Sequence, residues 1–525
     1  MGGSTAAAHP RLLGGYLTRN ATRWPDRTAL AQRGHSLTYA QLDDRVNRSA
    51  NALRSLGVEP GDRVALLLHN GFEYIECILA ACRLGAVAVP INSRLTVAEI
   101  EHVIADVEPT VVVTEPSLHD AAWEASRSTG SITAFVSVTE EHPPAPGGAW
   151  RYEDLLAAAS SDAVLSDISA DEPAMILYTS GTTGRPKGAV LSHAGCVISA
   201  LTVVARLGMT DGADSRHLGV PLYHSGGVNT VLQQLIQGGS TFVAQPGAFD
   251  PAATIDDFGV HSITTAFLTP TQWQHLCTVP DIGRRTLSLR RLLWGTSNTP
   301  PEVLASMARS FPGVPVFAQF GQTEMTGTTC TLDAEFASEK IGSIGRPLAH
   351  VQLRLVDDQM CDVAPGEVGE IVYQGPSVMS GYWRDEAATA EAFRGGWFHS
   401  GDLARRDDAG FLYVVDRLKN MIISGGENIY CLEVEAALQS HPKVAEVVIV
   451  GVPHAKWVET PHAMVLPVDV NDPPTLDELL THLGPRLASY KKPTSMQIVE
   501  TLPRNSMGKV LRQPLRSTAL AGRLP

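Results

Sequence analysis

Along the first half of the chain, short apolar runs alternate with longer stretches of helical length. Arg63–Leu68, Ala86–Pro90 and Thr110–Val113 are short apolar runs of strand length. Between them lie Glu73–Leu84 and Ala98–Val107, which are long enough for helices. Strand and helix in alternation predict an α/β fold with parallel strands. Beyond residue 416 the order changes: Leu432–Gln439 reads as helix, Glu446–Val450 as strand, Thr475–Leu487 as helix and Met496–Val499 as strand. That is a small α+β unit of about a hundred residues, a common domain size. The boundary is expected at Asp416–Lys419. Residues 142–149, His-Pro-Pro-Ala-Pro-Gly-Gly-Ala, read as a connector. No internal repeat of solenoid length is visible.

The apolar run Ala174–Leu177 leads into Tyr178-Thr179-Ser180-Gly181-Thr182-Thr183-Gly184-Arg185-Pro186-Lys187-Gly188. An apolar strand followed by a Gly-rich turn is suited to bringing backbone N–H groups onto phosphate oxygens. Gly181 and Gly184 allow close approach of the backbone. Thr179, Ser180, Thr182 and Thr183 add hydroxyls, and Lys187 adds a point charge. The P-loop spacing of Gly, four residues, then Gly-Lys-Ser/Thr is absent, because Lys187 follows a proline and precedes a glycine.

Further segments follow in order. Pro221-Leu222-Tyr223-His224-Ser225 holds a histidine that, taken alone, reads as a hydrogen-bonded core residue. Gly295-Thr296-Ser297 follows the apolar run Leu292-Leu293-Trp294. Gln319-Phe320-Gly321-Gln322-Thr323-Glu324 offers an aromatic ring able to stack on a base and a hard oxygen ligand suited to Mg²⁺, with Thr179 as its partner. Gly396-Trp397-Phe398-His399-Ser400-Gly401-Asp402 ends on a carboxylate able to accept two ribose hydroxyls. Asp416-Arg417-Leu418-Lys419 and Ile423-Ser424-Gly425-Gly426-Glu427-Asn428 come next, and Pro503-Arg504-Asn505-Ser506-Met507-Gly508-Lys509-Val510 closes the series.

This ordered set covers nearly the whole chain and resembles the adenylate-forming superfamily, in its acyl-CoA synthetase branch. The resemblance implies a large N-terminal AMP-binding domain (1–415) of two α/β subdomains and a β-barrel part, a hinge (416–419) at Lys419, and a small mobile α+β C-terminal domain (420–525). It implies ATP-dependent conversion of a carboxylic acid to an acyl-adenylate, then to a coenzyme A thioester, with ATP, Mg²⁺ and coenzyme A as cosubstrates and cofactor. The catalytic set would be Lys509, Glu324 and His224. The nucleotide would meet residues 179–184, Lys187, Gly295, Thr296, Ser297, Phe320, Gly321, Gln322, Thr323, Asp402 and Arg417. Thr179 and Glu324 would hold the metal, and Gly425 and Gly426 would line the coenzyme A tunnel. His224, Gly226, Gly227, Val228, Phe267, Leu268 and Trp294 would form a mostly apolar acid pocket. Ser297-Asn298-Thr299 departs from the small apolar residues usual there, which bears on the pocket wall. A carrier-protein thiol or an amine as acceptor, or an unusual acid such as nitrite, stays open beside coenzyme A.

Composition changes the picture in a few places. Of 41 Lys and Arg residues only eight are Lys, and Lys187, Lys419 and Lys509 fall in the motifs, where a compact ammonium is wanted rather than a planar fork. The net charge of −14 argues against a nucleic-acid partner, which needs a cationic face. The seven cysteines lack metal-site spacing and read as reduced thiols of a cytoplasmic protein. No secretory leader is expected from the first residues, and no apolar run is long enough to insert in a membrane. A monomer or homodimer is expected. Ser506-Met507-Gly508-Lys509 matches the Ser-x-x-Lys of β-lactam-binding hydrolases, but their Ser-Asp-Asn and Lys-Thr-Gly partners are missing. A non-catalytic nucleotide-binding regulator would be expected to lose Lys509 or Glu324, and both are present.

Overall fold

The apolar runs become strands Arg63–Leu67, Val87–Pro90 and Val111–Thr114, separated by helices Phe72–Leu84 and Val97–Val107. A computed structural model describes residues 12–139, 149–164, 166–179, 186–209, 212–296, 299–484, 486–504 and 509–521. Most of the 142–149 connector therefore lies outside the described residues. Helical crossovers make these strands parallel, in register Arg63↔Val87 and Val64↔Val111. Every residue of Val87–Pro90 and Val111–Thr114 is buried, which explains why their sequences do not alternate. The helix Val97–Val107 starts in a Thr96–Glu99 capping box, and Phe72–Leu84 stops at Gly85 in the left-handed region.

The chain divides into two compact units: Met1–Gln352 with Gln374–Phe398, and Leu353–Tyr373 with His399–Pro525. Among the described residues, the first holds two large sheets. One has eight strands, with Pro173–Thr179 next to Val87–Pro90 and Lys187–Ser192 beyond it. The other has nine. At its centre Ser240–Val243, Ser215–Leu218, Thr265–Leu268, Arg291–Gly295 and Val316–Gln322 run parallel in that spatial order. These are the two expected α/β subdomains.

The second unit gathers a four-stranded sheet (Gln352–Val356, Val368–Gln374, Phe398–Arg406, Leu412–Arg417) with the C-terminal α+β part. The four-stranded sheet takes the place of the expected barrel part, and residues 416–419 fall inside this unit. In the C-terminal part, the strand Val444–His454 shows period-two burial on both faces. Val447 and Ile449 pack with Leu438 and Leu479, from helices Cys431–Gln439 and Leu476–Leu483. Val448, Val450 and Val452 pack with Leu515 and Ala519 of the helix Arg512–Ala521.

Two differences from the sequence reading have physical causes. The helix expected to reach Leu487 ends at Leu483, before Gly484 and Pro485. The strand Val458–Pro467, antiparallel to Val444–His454, is not legible in sequence because Pro461 and Pro467 punctuate it. Among the described residues no helix is long and apolar enough to cross a membrane.

Candidate active site

In the first unit, strands Pro173–Thr179 and Lys187–Ser192 form an antiparallel pair with Thr179 opposite Lys187. A hydroxyl and an ammonium therefore face each other across the mouth of the connecting loop. Ser180, Gly181, Thr182, Thr183 and Gly184 lie outside the described residues, as does Ser297. Nearby, Val316–Gln322 gives way to a single 3₁₀ turn at Thr323–Met325, followed by Thr326 and Gly327 at positive φ. A Cβ at Gly321 would lie 1.8 Å from the Gly327 carbonyl oxygen, so this reversal admits only glycine there. The turn presents Glu324. Its Oε1 accepts hydrogen bonds from Thr179 Oγ1 at 3.3 Å and from the Tyr382 hydroxyl at 3.2 Å. The Lys187 ammonium stands 5.3 Å from the centre of the Tyr382 ring.

The residues assigned to the acid pocket gather at the C-terminal ends of the parallel strands, where open α/β sheets bind ligands. Phe267 pairs with Leu293, Leu268 with Trp294, and Gly295 with Gln319. A side chain at Gly295 would meet Gln319 O at 2.4 Å and the Phe267 ring at 3.2 Å. Thr296 follows at φ 75°, an uncommon conformation for a β-branched residue. Leu268, Trp294 and Val228 are buried. Gly227 has no room for a side chain, because Pro221 O would lie 2.2 Å from its Cβ, whereas Gly226 meets nothing nearer than Val220 at 3.6 Å.

His224 precedes the helix Ser225–Gln237. Burial, and then the nearby Arg94 charge, lower its pKa to about 4, so it is a neutral imidazole at neutral pH. Asn70 holds the segment before it, donating to Val220 O at 2.9 Å and accepting from Leu222 N at 2.9 Å. Asn229 ties the helix to the Glu324 turn through Thr326 O at 2.7 Å.

In the second unit, Asp402 and Arg417 face each other across strands Phe398–Arg406 and Leu412–Arg417. They form an ion pair of 2.8 Å, with Asp402 nearly buried and Arg417 partly exposed. Glu370 anchors the turn before Asp402, accepting from Gly401 N at 3.0 Å and contacting His399 Nδ1 at 2.8 Å. Asp416 is fully buried. It accepts from Arg417 N at 2.7 Å and from Cys431 N at the start of the helix Cys431–Gln439. Lys419 lies in a 3₁₀ turn, Leu418–Asn420, and its pKa is lowered by loss of water and then by Arg417.

Lys509 belongs to the same charged group. Desolvation of its ammonium, and then Arg417, bring its pKa down to about 8, with Asp402 pulling the other way and Lys419 and Arg512 adding to the drop. The residue as a whole keeps an exposed surface, so the crowding acts on its charged end. Gly425 and Gly426, at φ 61° and 89°, form the two-residue turn of a hairpin in which Ser424 pairs with Glu427. Trp457 closes over that turn, 2.8 Å from where a Gly425 Cβ would stand.

Tyr382, Glu370 and Asn229 were missed by sequence reasoning. Each acts on a partner far away in the chain, and no local spacing signals such a contact.

A family model described as AMP-binding enzyme matches residues 17–383, and one described as AMP-binding enzyme C-terminal domain matches residues 433–509. Feruloyl-CoA synthase of an Amycolatopsis species is 38% identical over 509 residues, spanning 96% of this chain and 98% of that protein. Indoleacetate–CoA ligase of Aromatoleum aromaticum is 37% identical, spanning 95% and 97%. Among solved structures, o-succinylbenzoate CoA synthetase from Bacillus subtilis with its acyl-adenylate intermediate is 31% identical, with a TM-score of 0.84 over 95% of this chain and 97% of that one. The same enzyme with ATP and a magnesium ion is 31% identical, with a TM-score of 0.83 over 95% and 98%.

Proposed function

Because the chain belongs to the AMP-binding enzyme family, we propose that it is an AMP-forming acid–CoA ligase acting on an aromatic carboxylic acid. The reaction follows from carboxylate chemistry. Hydroxide is a poor leaving group, so the carboxylate first attacks the α-phosphate of ATP, giving an acyl-adenylate and pyrophosphate. The thiol of coenzyme A then attacks the acyl carbon, and AMP leaves.

The observation that carries this reading is the Glu324 cluster. A carboxylate and a hydroxyl meet within hydrogen-bond distance beside a lysine, at the mouth of a Gly- and hydroxyl-rich loop. Glu324 and Thr179 are hard oxygen donors and fit Mg²⁺, which takes one or two protein ligands and fills its remaining positions with phosphate and water. Among the described residues no three His, Cys, Asp or Glu side chains converge, so the donor set matches a shared site rather than a protein cage. A bound magnesium ion would offset charge on the phosphates. Lys187 would meet the phosphates, Asp402 and Arg417 the ribose, and Lys509 the charge developing at the α-phosphate. His224, kept neutral by burial, would border the acid without adding a competing cation.

The substrate class rests on two supports: relatives that act on feruloyl and indoleacetate groups, and a pocket set containing Phe267 and Trp294 with little charge. Coenzyme A is the acceptor named for both relatives. All seven cysteines are unpaired and five are buried, which supports a reducing, cytoplasmic setting.

Asp402→Ala tests the nucleotide end of the site. The KM for ATP is expected to rise roughly tenfold or more, the scale of hydrogen bonds to a charged group. Preference among acids should stay as in the wild type, because ribose is common to every reaction. Acid-dependent pyrophosphate exchange over a panel of acids measures both. A changed order of acids would place Asp402 elsewhere.

A further inference from the structure

Tyr382 belongs to none of the motifs read from the sequence, yet its hydroxyl touches one of them and its ring faces another. The hydroxyl donates to Glu324 Oε1 at 3.2 Å, and the Lys187 ammonium stands over the ring at 5.3 Å. We propose that Tyr382 is a positioning residue that sets the Glu324 carboxylate and the Lys187 ammonium for a magnesium-bound triphosphate. This rests on reading Glu324 as the magnesium ligand and Lys187 as a phosphate cation.

The backbone around Tyr382 is built for such a role. The short strand Gly381–Tyr382 lies on the edge of Lys187–Ser192, pairing Gly381 with Val190 and Tyr382 with Ala189. Ser380 N donates to Val190 O at 2.9 Å and Trp383 N to Gly188 O at 2.7 Å, so the segment is fastened beside Lys187. Met379 N donates to the Glu324 carbonyl at 2.7 Å, so the same five residues also hold the Glu324 turn. Trp383 Nε1 reaches Asp106 O at 3.2 Å, and Tyr382 N reaches Thr389 Oγ1 at 2.9 Å. Residues 379–383 thus link the edge of the eight-stranded sheet to the Glu324 turn of the nine-stranded one.

Among the described residues, the Glu324 side chain accepts from Thr179 and Tyr382, both at Oε1. Two donors on one oxygen restrain the carboxylate at Oε1. The Tyr382 hydroxyl is the donor in its contact, so removing it takes one hydrogen bond from Oε1. The ring offers Lys187 a cation–π contact that favours one ammonium position.

The test is calorimetric binding of ATP to the full chain, with and without Mg²⁺. Tyr382→Phe keeps the ring and removes the donor. The tightening of ATP binding by Mg²⁺ should fall roughly 10- to 100-fold, as when a partner behind a metal ligand is lost. Affinity for metal-free ATP should stay at the wild-type value. Tyr382→Leu removes the ring as well and should also weaken metal-free ATP binding about 2- to 5-fold. Should the Phe variant not fold, Tyr382→Met, which removes donor and ring together, gives the same loss of the magnesium effect, with metal-free ATP binding weakened as in the Leu variant. Wild-type magnesium dependence in a folded Phe or Met variant overturns the proposal. Glu324→Gln separates the two levels: if it abolishes the magnesium effect while Tyr382→Phe leaves it intact, only the role of Tyr382 fails. If Glu324→Gln itself keeps the full effect, the magnesium reading of Glu324 fails with it.

Discussion

Lys509→Ala should lower acyl-adenylate formation by roughly 10²-fold or more, the scale on which one preorganised charge contact acts in a transition state. The thioester-forming step, started from presynthesised acyl-adenylate, should keep its rate, because the proposed turn about Lys419 would have withdrawn Lys509 by then. Equal losses in both half-reactions would contradict the assignment. The pKa of Lys509 adds a pH signature. Desolvation and then Arg417 bring it to about 8. The charged form is therefore present below pH 8 and is lost as pH rises through that value. The kcat/KM for adenylation, which reports the free enzyme, should show an alkaline limb near pH 8. Lys509→Arg, always charged, should be slower but should lose that limb.

Lys419→Pro should separate the two half-reactions. Proline fixes φ near −65°, which lies within the range of the 3₁₀ turn that Lys419 occupies, so the substitution would freeze the arrangement seen here. In this arrangement Lys509 stands with Asp402 and Arg417, the group proposed here for adenylation. Pyrophosphate exchange should stay near the wild-type rate. Acyl-CoA formation should fall by about 10²-fold, if the second step needs this joint to leave its present φ at a cost of ~3 kcal/mol. Wild-type rates for both steps would make Lys419 an ordinary lysine and put the hinge at another position.

Much of the candidate site was legible because the proposed adenylation draws on residue types with few substitutes. The Asp402 carboxylate, the Lys509 ammonium, and glycines at Gly321, Gly425 and Gly426 each leave a local mark. The structure gives reasons for some of these marks: Gly321 has a carbonyl oxygen where a Cβ would go, and Gly425 and Gly426 both sit at positive φ. The parallel strands were legible for a similar reason, since burial on both faces demands unbroken apolar runs. What stayed hidden depends on contacts distant in the chain. Tyr382 meets Glu324 across 58 residues, and Asn229 meets Thr326 across 97. Strand Val458–Pro467 was obscured by prolines that its pairing accommodates. Gly227, read as lining the acid pocket, also carries a packing requirement that sequence does not show, since Pro221 O stands where its Cβ would go.

One measurement bears most directly on the account. The purified full chain is incubated with ATP, Mg²⁺, coenzyme A and single acids drawn from hydroxycinnamic, indole-acetic, benzoic and fatty acids. Nucleotides and thioesters are then quantified by mass spectrometry. The account predicts AMP and acyl-CoA in equal amounts, dependent on the acid and greatest for an aromatic one. Formation of ADP in place of AMP, or AMP release that is indifferent to acid and yields no thioester, would contradict it.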